Sequence, residues 1–128
     1  MPDASSAGQV EDIFHDAVNA GDLEAAVSIY TSETVFVQGD TLIRGVDELR
    51  NRISSFVLAK PEMREVSRRL TEFDDYVYSE VDWEVARTDE NGAVVRTAGT
   101  DAHILRRQPD GTWKILRGTV LGRRVLDA

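Results

Sequence analysis

The apolar positions of the chain follow a helical period in its first half and a strand period in its second. Three segments before residue 60 carry apolar residues three or four positions apart, which predicts three amphipathic helices. Their apolar stripes are Val10, Ile13, Phe14, Ala17 and Val18, then Leu23, Ala26, Val27 and Tyr30, and last Leu49, Ile53, Phe56 and Val57. The β-prone run Thr34–Val37, followed by a Gly39-Asp40 turn, predicts a short strand between the second and third helices.

The residues between these segments are typical of helix ends. Gly21 is placed to end the first helix in a left-handed conformation, and Asp22 is placed to cap the second. Asp47 and Glu48 put negative charge in the first turn of the third helix, where the helix dipole favours it. Pro61 is expected to stop that helix.

Four long β-patterned segments follow, over residues 63–73, 76–88, 93–107 and 112–122. They are separated by Asp74-Asp75, by residues 89–92 and by Pro109-Asp110-Gly111. Helices followed by a block of strands predict an α+β fold in which three N-terminal helices cover one face of a curved antiparallel sheet.

Both faces of this sheet carry apolar residues in the predicted register. Leu105, Trp113, Ile115 and Leu121 share one face, and Ile104, Leu116 and Val120 share the other. Helices cover only one face. We therefore expect a homodimer in which a second copy of the chain covers the outer face of the sheet.

Length, charge and cysteine content exclude several classes of function. The 128 residues suit one domain, predicted over 10–122, with a flexible N-terminus (1–9) and a C-terminal tail (123–128). A net charge of −8 disfavours nucleic acids. No apolar run is long enough for a membrane span and no signal peptide is evident, so we expect a cytoplasmic protein. The absence of cysteine excludes disulfides and thiolate metal sites, and we predict neither a metal nor a cofactor.

The predicted hairpin around Pro109-Asp110-Gly111 is the place where polar groups capable of chemistry converge. A three-residue turn pairs Gln108 with Thr112. With no irregularity, this register puts His103 opposite Arg117 and Asp101 opposite Thr119, all on one face. A one-residue change in register would move Arg117 to the other face, so the prediction depends on the turn.

The order of elements resembles the nuclear transport factor 2-like superfamily, with its ketosteroid isomerase, SnoaL-like and DUF4440 members. The best matching segments are 19–24 (NAGDLE), 43–45 (IRG) and 105–113 (LRRQPDGTW), the last being most similar to the SgcJ/EcaC-type branch. The resemblance implies a cone-shaped roll with a largely apolar pocket between sheet and helices. It implies no single reaction, because this fold carries both enzymes and binding proteins.

The residues of ketosteroid isomerase are replaced at the matching positions of this chain. That enzyme uses an aspartate base and an oxyanion hole made from a tyrosine and a protonated aspartate. Those positions fall on Gln38, Phe14 and His103, respectively. Because Gln38 has no useful basicity and Phe14 donates no hydrogen bond, the isomerase mechanism does not transfer. Gly118, Thr119 and Val120 likewise stand where DUF4440 proteins commonly have an acidic pair and a proline.

The leading hypothesis is a cofactor-independent isomerase, cyclase or dehydratase for a polyketide-like or otherwise enolisable apolar small molecule. In it, His103 is the general acid or base, Arg117 stabilises an anion and Asp101 orients the histidine. The expected ligand-binding residues are Phe14, Tyr30, Gln38, Trp83, Thr119 and Leu121. Two alternatives stay open: a non-catalytic binding protein for an apolar metabolite, and a dimerisation domain with a vestigial pocket, with His103 and Arg117 a solvated cross-strand pair.

Two other polar groups have mainly structural interpretations. His15 follows Glu11 by four positions, which predicts a solvated pair on the first helix. Glu80, Asp82 and Glu84 alternate along one strand face. We expect them to meet Arg68, Arg96 or Arg106 from adjoining strands rather than a cation.

Overall fold

Three helices pack against one face of a curved, unclosed six-stranded sheet in the computed structural model, which describes residues 6–126. The helices are α1 (Ala7–Ala20), α2 (Leu23–Val27) and α3 (Gly45–Leu58). The strands are β1 (Tyr30–Gln38), β2 (Thr41–Arg44), β3 (Glu62–Phe73), β4 (Tyr76–Thr88), β5 (Val94–Arg107) and β6 (Trp113–Val125). The predicted α+β class, with helices on one face of the sheet, is confirmed.

The sheet order is β2-β1-β6-β5-β4-β3. Its neighbours are antiparallel except for β1 and β6, which run parallel. This places β5 and β6, the strands of the predicted polar hairpin, in the middle of the sheet beneath the helices. Side chains on their inner faces are therefore enclosed.

The ends of the helices follow the predicted residues. Gly21 adopts a left-handed conformation, with φ of 69°, directly after α1. The Asp22 side chain accepts a hydrogen bond from the backbone N–H of Ala25, 3.1 Å away, and so caps α2. The third helix ends at Leu58, shortly before Pro61.

The second helix is shorter than its apolar pattern predicts. It ends at Val27, and Tyr30 begins β1 instead of lying on the helix. Tyr30 pairs with Ile115 of β6, and the buried Thr34 donates a 2.5 Å hydrogen bond to the Ile115 carbonyl. The pairing of Tyr30 with β6 therefore overrides the helical spacing that this residue has in the sequence.

The predicted cross-strand pairing of His103 with Arg117 is wrong. The turn is as predicted, since the Gln108 N–H donates to the Thr112 carbonyl at 2.7 Å. The register then shifts at two bulges, the first of which leaves Leu116 without a direct partner. As a result His103 lies opposite Gly118, and Arg117 lies opposite Ile104 on the outer face of the sheet.

The bulges also change the predicted faces of three other residues on β6. Asp101 lies opposite Val120 rather than Thr119, so Val120 shares the inner face with Asp101. Thr119 pairs with Ala102 and lies on the other face. Leu121 is the extra residue of the second bulge and is 56% exposed. Each extra residue reverses the side-chain alternation beyond it, which hydrophobic pattern alone does not reveal.

Regular structure extends beyond the predicted limits of 10 and 122. The first helix begins at Ala7, and β6 continues to Val125. The first five residues of the predicted flexible N-terminus, and residues 127–128 of the predicted tail, lie outside the described residues. Within residues 6–126, no helix has both the length and the hydropathy that crossing a lipid bilayer requires.

Candidate functional site

The space between the inner face of the sheet and the helices forms two adjoining chambers. The inner chamber has a volume of about 30 Å³ and lies against the middle of β5, and the outer chamber has about 280 Å³ and opens toward the ends of β4 and β6. Both are lined by Phe14, Arg52, Met63, Trp83 and Asp101. The inner chamber is large enough for one or two waters or for the reacting end of a ligand.

Glu11 and His103 form a buried pair on the floor of the inner chamber. Glu11 reaches the sheet from α1, and its Oε1 lies 2.7 Å from Nδ1 of His103. The Ser79 hydroxyl, directly across from His103 on β4, donates to the same Oε1 at 3.3 Å. Glu11 is only 2% exposed and His103 only 7%, so water screens this pair little.

The pair favours a charged imidazolium beside a charged carboxylate. Burial alone would lower the pKa of His103, but the charge and hydrogen bond of Glu11 outweigh it and leave that pKa raised. Burial opposes ionisation of Glu11 as well, yet His103 holds the pKa of Glu11 below its usual value. We therefore expect His103 to carry a proton on both ring nitrogens at pH values below its raised pKa.

The second ring nitrogen of His103 is open to the chamber. Nδ1 is held by Glu11, and Nε2 has no hydrogen-bond partner among the described residues. Within residues 6–126, every fully buried side-chain nitrogen or oxygen has a partner. Nε2 is therefore accessible, and its N–H can be offered to a ligand.

Asp101 lies two residues before His103 on the same strand face and lines both chambers. Its Oδ1 accepts a 3.0 Å hydrogen bond from Nε1 of Trp83. Burial raises the pKa of Asp101, although the charge of His103 and the Trp83 hydrogen bond partly oppose this. Two positions along a strand are roughly 7 Å apart, so the two groups can reach opposite ends of one small substrate.

A neutral donor, Tyr30, and a cationic donor, Arg52, complete the lining of the inner chamber. The buried Tyr30 lines the inner chamber, and burial raises the pKa of its phenol, which therefore stays protonated. The guanidinium of Arg52 lies over the Phe36 ring, 4.1 Å from its centroid, and its Nε donates to Gln38 at 3.0 Å. These contacts hold Arg52 at the boundary between the two chambers.

Gly118 leaves the room that His103 and Phe36 occupy. A Cβ at this position would lie 2.7 Å from the Phe36 ring and 2.9 Å from Cδ2 of His103. Both distances are too short for carbon–carbon contact. The absence of an acidic side chain at residue 118, where DUF4440 proteins commonly have one nearby, therefore has a steric basis. Any side chain at this position would displace His103.

Most of the predicted site residues line these chambers. His103, Asp101, Phe14, Tyr30 and Trp83 line the inner one, and Gln38 lines the outer one. The predicted orientation of His103 by Asp101 is not observed. Asp101 accepts a hydrogen bond from Trp83 instead, and His103 is hydrogen-bonded to Glu11.

Three predicted residues lie elsewhere. Arg117 donates from the outer face to the backbone carbonyls of Glu33 and Leu116, at 3.1 and 2.8 Å. Thr119 donates to the Val37 carbonyl at 2.9 Å. Neither they nor Leu121 are among the residues that line the two chambers.

Sequence reasoning missed the roles of Glu11 and Arg52. The predicted solvated pair of Glu11 with His15 is wrong, because Glu11 is buried against His103 and His15 lies 3.7 Å from Glu65. Both missed residues stand on apolar stripes, Glu11 four positions after Ala7 and Arg52 three after Leu49. A charged residue on the apolar side of a helix is the signal that could have found them.

The acidic face of β4 meets arginines as predicted, and of the three predicted partners Arg96 is confirmed. Glu84 is paired with Arg96 and Arg64, whereas Asp82 and Glu80 are paired with Arg69. Arg68 and Arg106 pair elsewhere. No group of three or more potential metal ligands occurs in the part of the chain that the structure describes.

Comparison with known proteins gives the family and the fold. The SnoaL-like domain model matches residues 10–118. A conserved protein from Planctomyces limnophilus is similar in structure, with a TM-score of 0.79 at 20% identity, covering 93% of this chain and 94% of that one. A ketosteroid isomerase-like protein from Erwinia carotovora atroseptica has a TM-score of 0.71 at 20% identity and covers 94% of each chain.

A nuclear transport factor 2-like protein from Salmonella enterica serovar Typhimurium has a TM-score of 0.77 at 16% identity, covering 89% of this chain and 86% of that one. These TM-scores show a common fold, but at such low identity they say nothing about the activity, which has to be argued from the site. No curated protein sequence matches the chain. The match over most of its length shows that the chain belongs to the SnoaL-like domain family.

Proposed function

We propose that this protein is a cofactor-independent acid–base enzyme, an isomerase or dehydratase acting on a small, apolar, enolisable compound. One observation carries the proposal. Asp101 and His103 face the same enclosed space from one strand, and their surroundings make one a carboxyl base and the other a cationic acid.

In the proposed reaction Asp101 removes a proton from the carbon next to the substrate carbonyl. The carbonyl oxygen receives a proton from Nε2 of His103, which gives a neutral enol. Return of a proton from Asp101 to the γ-carbon of an unsaturated ketone, with loss of the enol proton to His103, completes an isomerisation. If a β-hydroxyl group is present, His103 instead protonates it and water leaves as the double bond forms.

Glu11 has a positioning role in this scheme. Its contact with Nδ1 fixes the ring so that Nε2 faces the chamber, and its charge keeps the imidazolium in place as a proton donor. The neutral phenol of Tyr30 supplies a second hydrogen-bond donor close to the same chamber. Both groups would stabilise negative charge developing on the substrate oxygen.

Chamber size limits the class of substrate. The outer chamber, at about 280 Å³, is slightly smaller than the range of about 300–1,000 Å³ that is usual for small-molecule sites. Its apolar wall includes Phe14, Phe56, Met63 and Trp83. We therefore propose a compound of one or two rings as the substrate.

The test is deuterium exchange into simple ketones. In D₂O, 1-indanone and 1-tetralone are incubated with the protein, and loss of the α-proton signal is followed by NMR. We expect exchange above the buffer rate and a loss of about 10²–10⁴-fold in His103→Gln, which still donates toward Glu11 but transfers no proton.

Arg117→Gln is the control, because that side chain lies on the outer face of the sheet. Thermal unfolding confirms that both variants fold. Equal exchange in His103→Gln and wild type would remove the histidine from the chemistry. Exchange at the buffer rate throughout, despite measurable binding of the ketones, would make the protein a binding protein instead of an enzyme.

A further inference from the structure

Three arginines converge on the outer chamber of a protein that is acidic overall. Arg52 comes from α3, Arg87 from β4 and Arg123 from β6, and the only carboxylate on the described lining is Asp101. With Asp101 ionised, the lining carries a net charge of +2, whereas the whole chain carries −8. The chamber is therefore a local positive site on a negative protein.

The three arginines of the outer chamber differ from six others in forming no ion pair within the described part of the chain. Six arginines elsewhere form ion pairs with carboxylates, namely Arg50, Arg64, Arg68, Arg69, Arg96 and Arg106. Among residues 6–126, Arg52, Arg87 and Arg123 form no such pair with any carboxylate. Their charges are available to a molecule that enters the chamber.

Aromatic rings position two of the three guanidinium groups. Arg52 lies over Phe36, 4.1 Å from the ring centroid, and Arg123 lies 5.8 Å from the centroid of Trp83. The Nε of Arg52 is occupied by Gln38, which leaves its terminal nitrogens for another acceptor. Burial lowers the pKa of Arg52 and the nearby charge of Arg123 lowers it further, whereas the charge of Asp101 compensates only in part. An anion placed between Arg52 and Arg123 would relieve this cost.

The geometry points to a ligand that is an apolar acid, with its carboxylate at Arg52 and Arg123 and its ring body against Trp83, Phe56 and Met63. A planar carboxylate matches the fork of an arginine through two parallel hydrogen bonds. This orientation directs the far end of the ligand toward Asp101 and His103. The inference rests on the proposed function for that reacting end, but binding can be measured without any reaction.

The experiment compares an aromatic acid with its neutral isostere. Quenching of tryptophan fluorescence gives the Kd of 2-naphthoate and of 2-naphthamide, which differ little except in charge. We expect the acid to bind at least about tenfold more tightly than the amide, with the difference shrinking as salt is raised. Arg123→Gln should weaken binding of naphthoate about tenfold and leave binding of the amide within twofold.

Arg124→Gln is the matched control. It removes the same charge from the adjacent residue, whose partner Ala98 lies on the other face of the sheet. Equal affinity of wild type for acid and amide would overturn the inference, as would equal losses in Arg123→Gln and Arg124→Gln. Proton exchange into 1-tetralone, measured on the same samples, separates the two proposals. Acid preference without exchange contradicts only the enzyme, and exchange without acid preference contradicts only the anion site.

Discussion

Replacing Glu11 with alanine is expected to lower the free energy of unfolding by about 3–5 kcal/mol. The substitution leaves the imidazolium of His103 buried without its counter-charge and removes the acceptor of the Ser79 hydroxyl. Urea unfolding at pH 6 measures the loss. Glu24→Ala is the control, because Glu24 forms an exposed pair with Arg50 and such pairs contribute about 0–1 kcal/mol. A loss in Glu11→Ala no larger than that in Glu24→Ala would contradict the buried pair.

The pH dependence of this loss follows from the two shifted groups. Because the pKa of His103 is raised, the stability that this group contributes is complete below pH 6.5, its ordinary pKa. That stability is lost as the pH rises through the raised pKa. Because the pKa of Glu11 is lowered, the stability that this group contributes is present above pH 4.5, its ordinary pKa. That stability is lost as the pH falls through the lowered pKa. The difference between wild type and Glu11→Ala should therefore be largest between these two ordinary values.

Asp101→Asn is expected to reduce proton exchange by about 10²–10⁴-fold without weakening the fold. The amide oxygen still accepts from Trp83, but the side chain no longer takes a proton. Because burial raises the pKa of Asp101, ionising this carboxyl costs more in the folded protein than in the unfolded chain, and stability is lost as the pH rises through that pKa. At neutral pH the variant should unfold at the same temperature as wild type or a higher one.

Exchange rates by NMR and Tm values at pH 7 and pH 5 test both parts of this prediction. The Tm advantage of the variant should narrow toward acid, since the wild-type carboxyl is then increasingly protonated. Exchange that persists at the wild-type rate in Asp101→Asn would assign the base elsewhere. A marked fall in Tm would mean that the carboxylate stabilises the fold, against the direction of its raised pKa.

The sequence predicted the fold well because local chemistry and global pattern agree there. Gly21 and Pro61 mark helix ends by conformational preference, and Asp22 marks one by the hydrogen bond of its side chain. The three predicted connections separate the last four strands, whose bounds differ from the prediction by only a few residues. The family followed from the order of these elements. The finer SgcJ/EcaC-type branch and the second copy on the outer face of the sheet stay predictions.

The site was predicted in part, and the missing part has two physical causes. The bulge at Leu116 shifts the register of β6, so Arg117 and Thr119 lie on the opposite face from the predicted one, and a second bulge leaves Leu121 as an extra residue. Nothing in the apolar alternation marks an extra residue when both faces of a strand are apolar. The partner of His103 was missed because it comes from α1, 92 positions earlier, and spacing along the chain says nothing about such contacts.

The central claim is that Glu11 keeps His103 protonated with Nε2 facing the chamber. Its most direct test is a ¹⁵N NMR titration of the histidine rings in wild type and in Glu11→Gln, with the His103 signal assigned by its absence from His103→Gln. We expect wild-type His103 to titrate above 6.5, and the same ring in Glu11→Gln to titrate below its wild-type value, because burial then acts without the opposing charge. A wild-type His103 that titrates at or below 6.5, or whose pKa is unchanged by Glu11→Gln, would contradict the account.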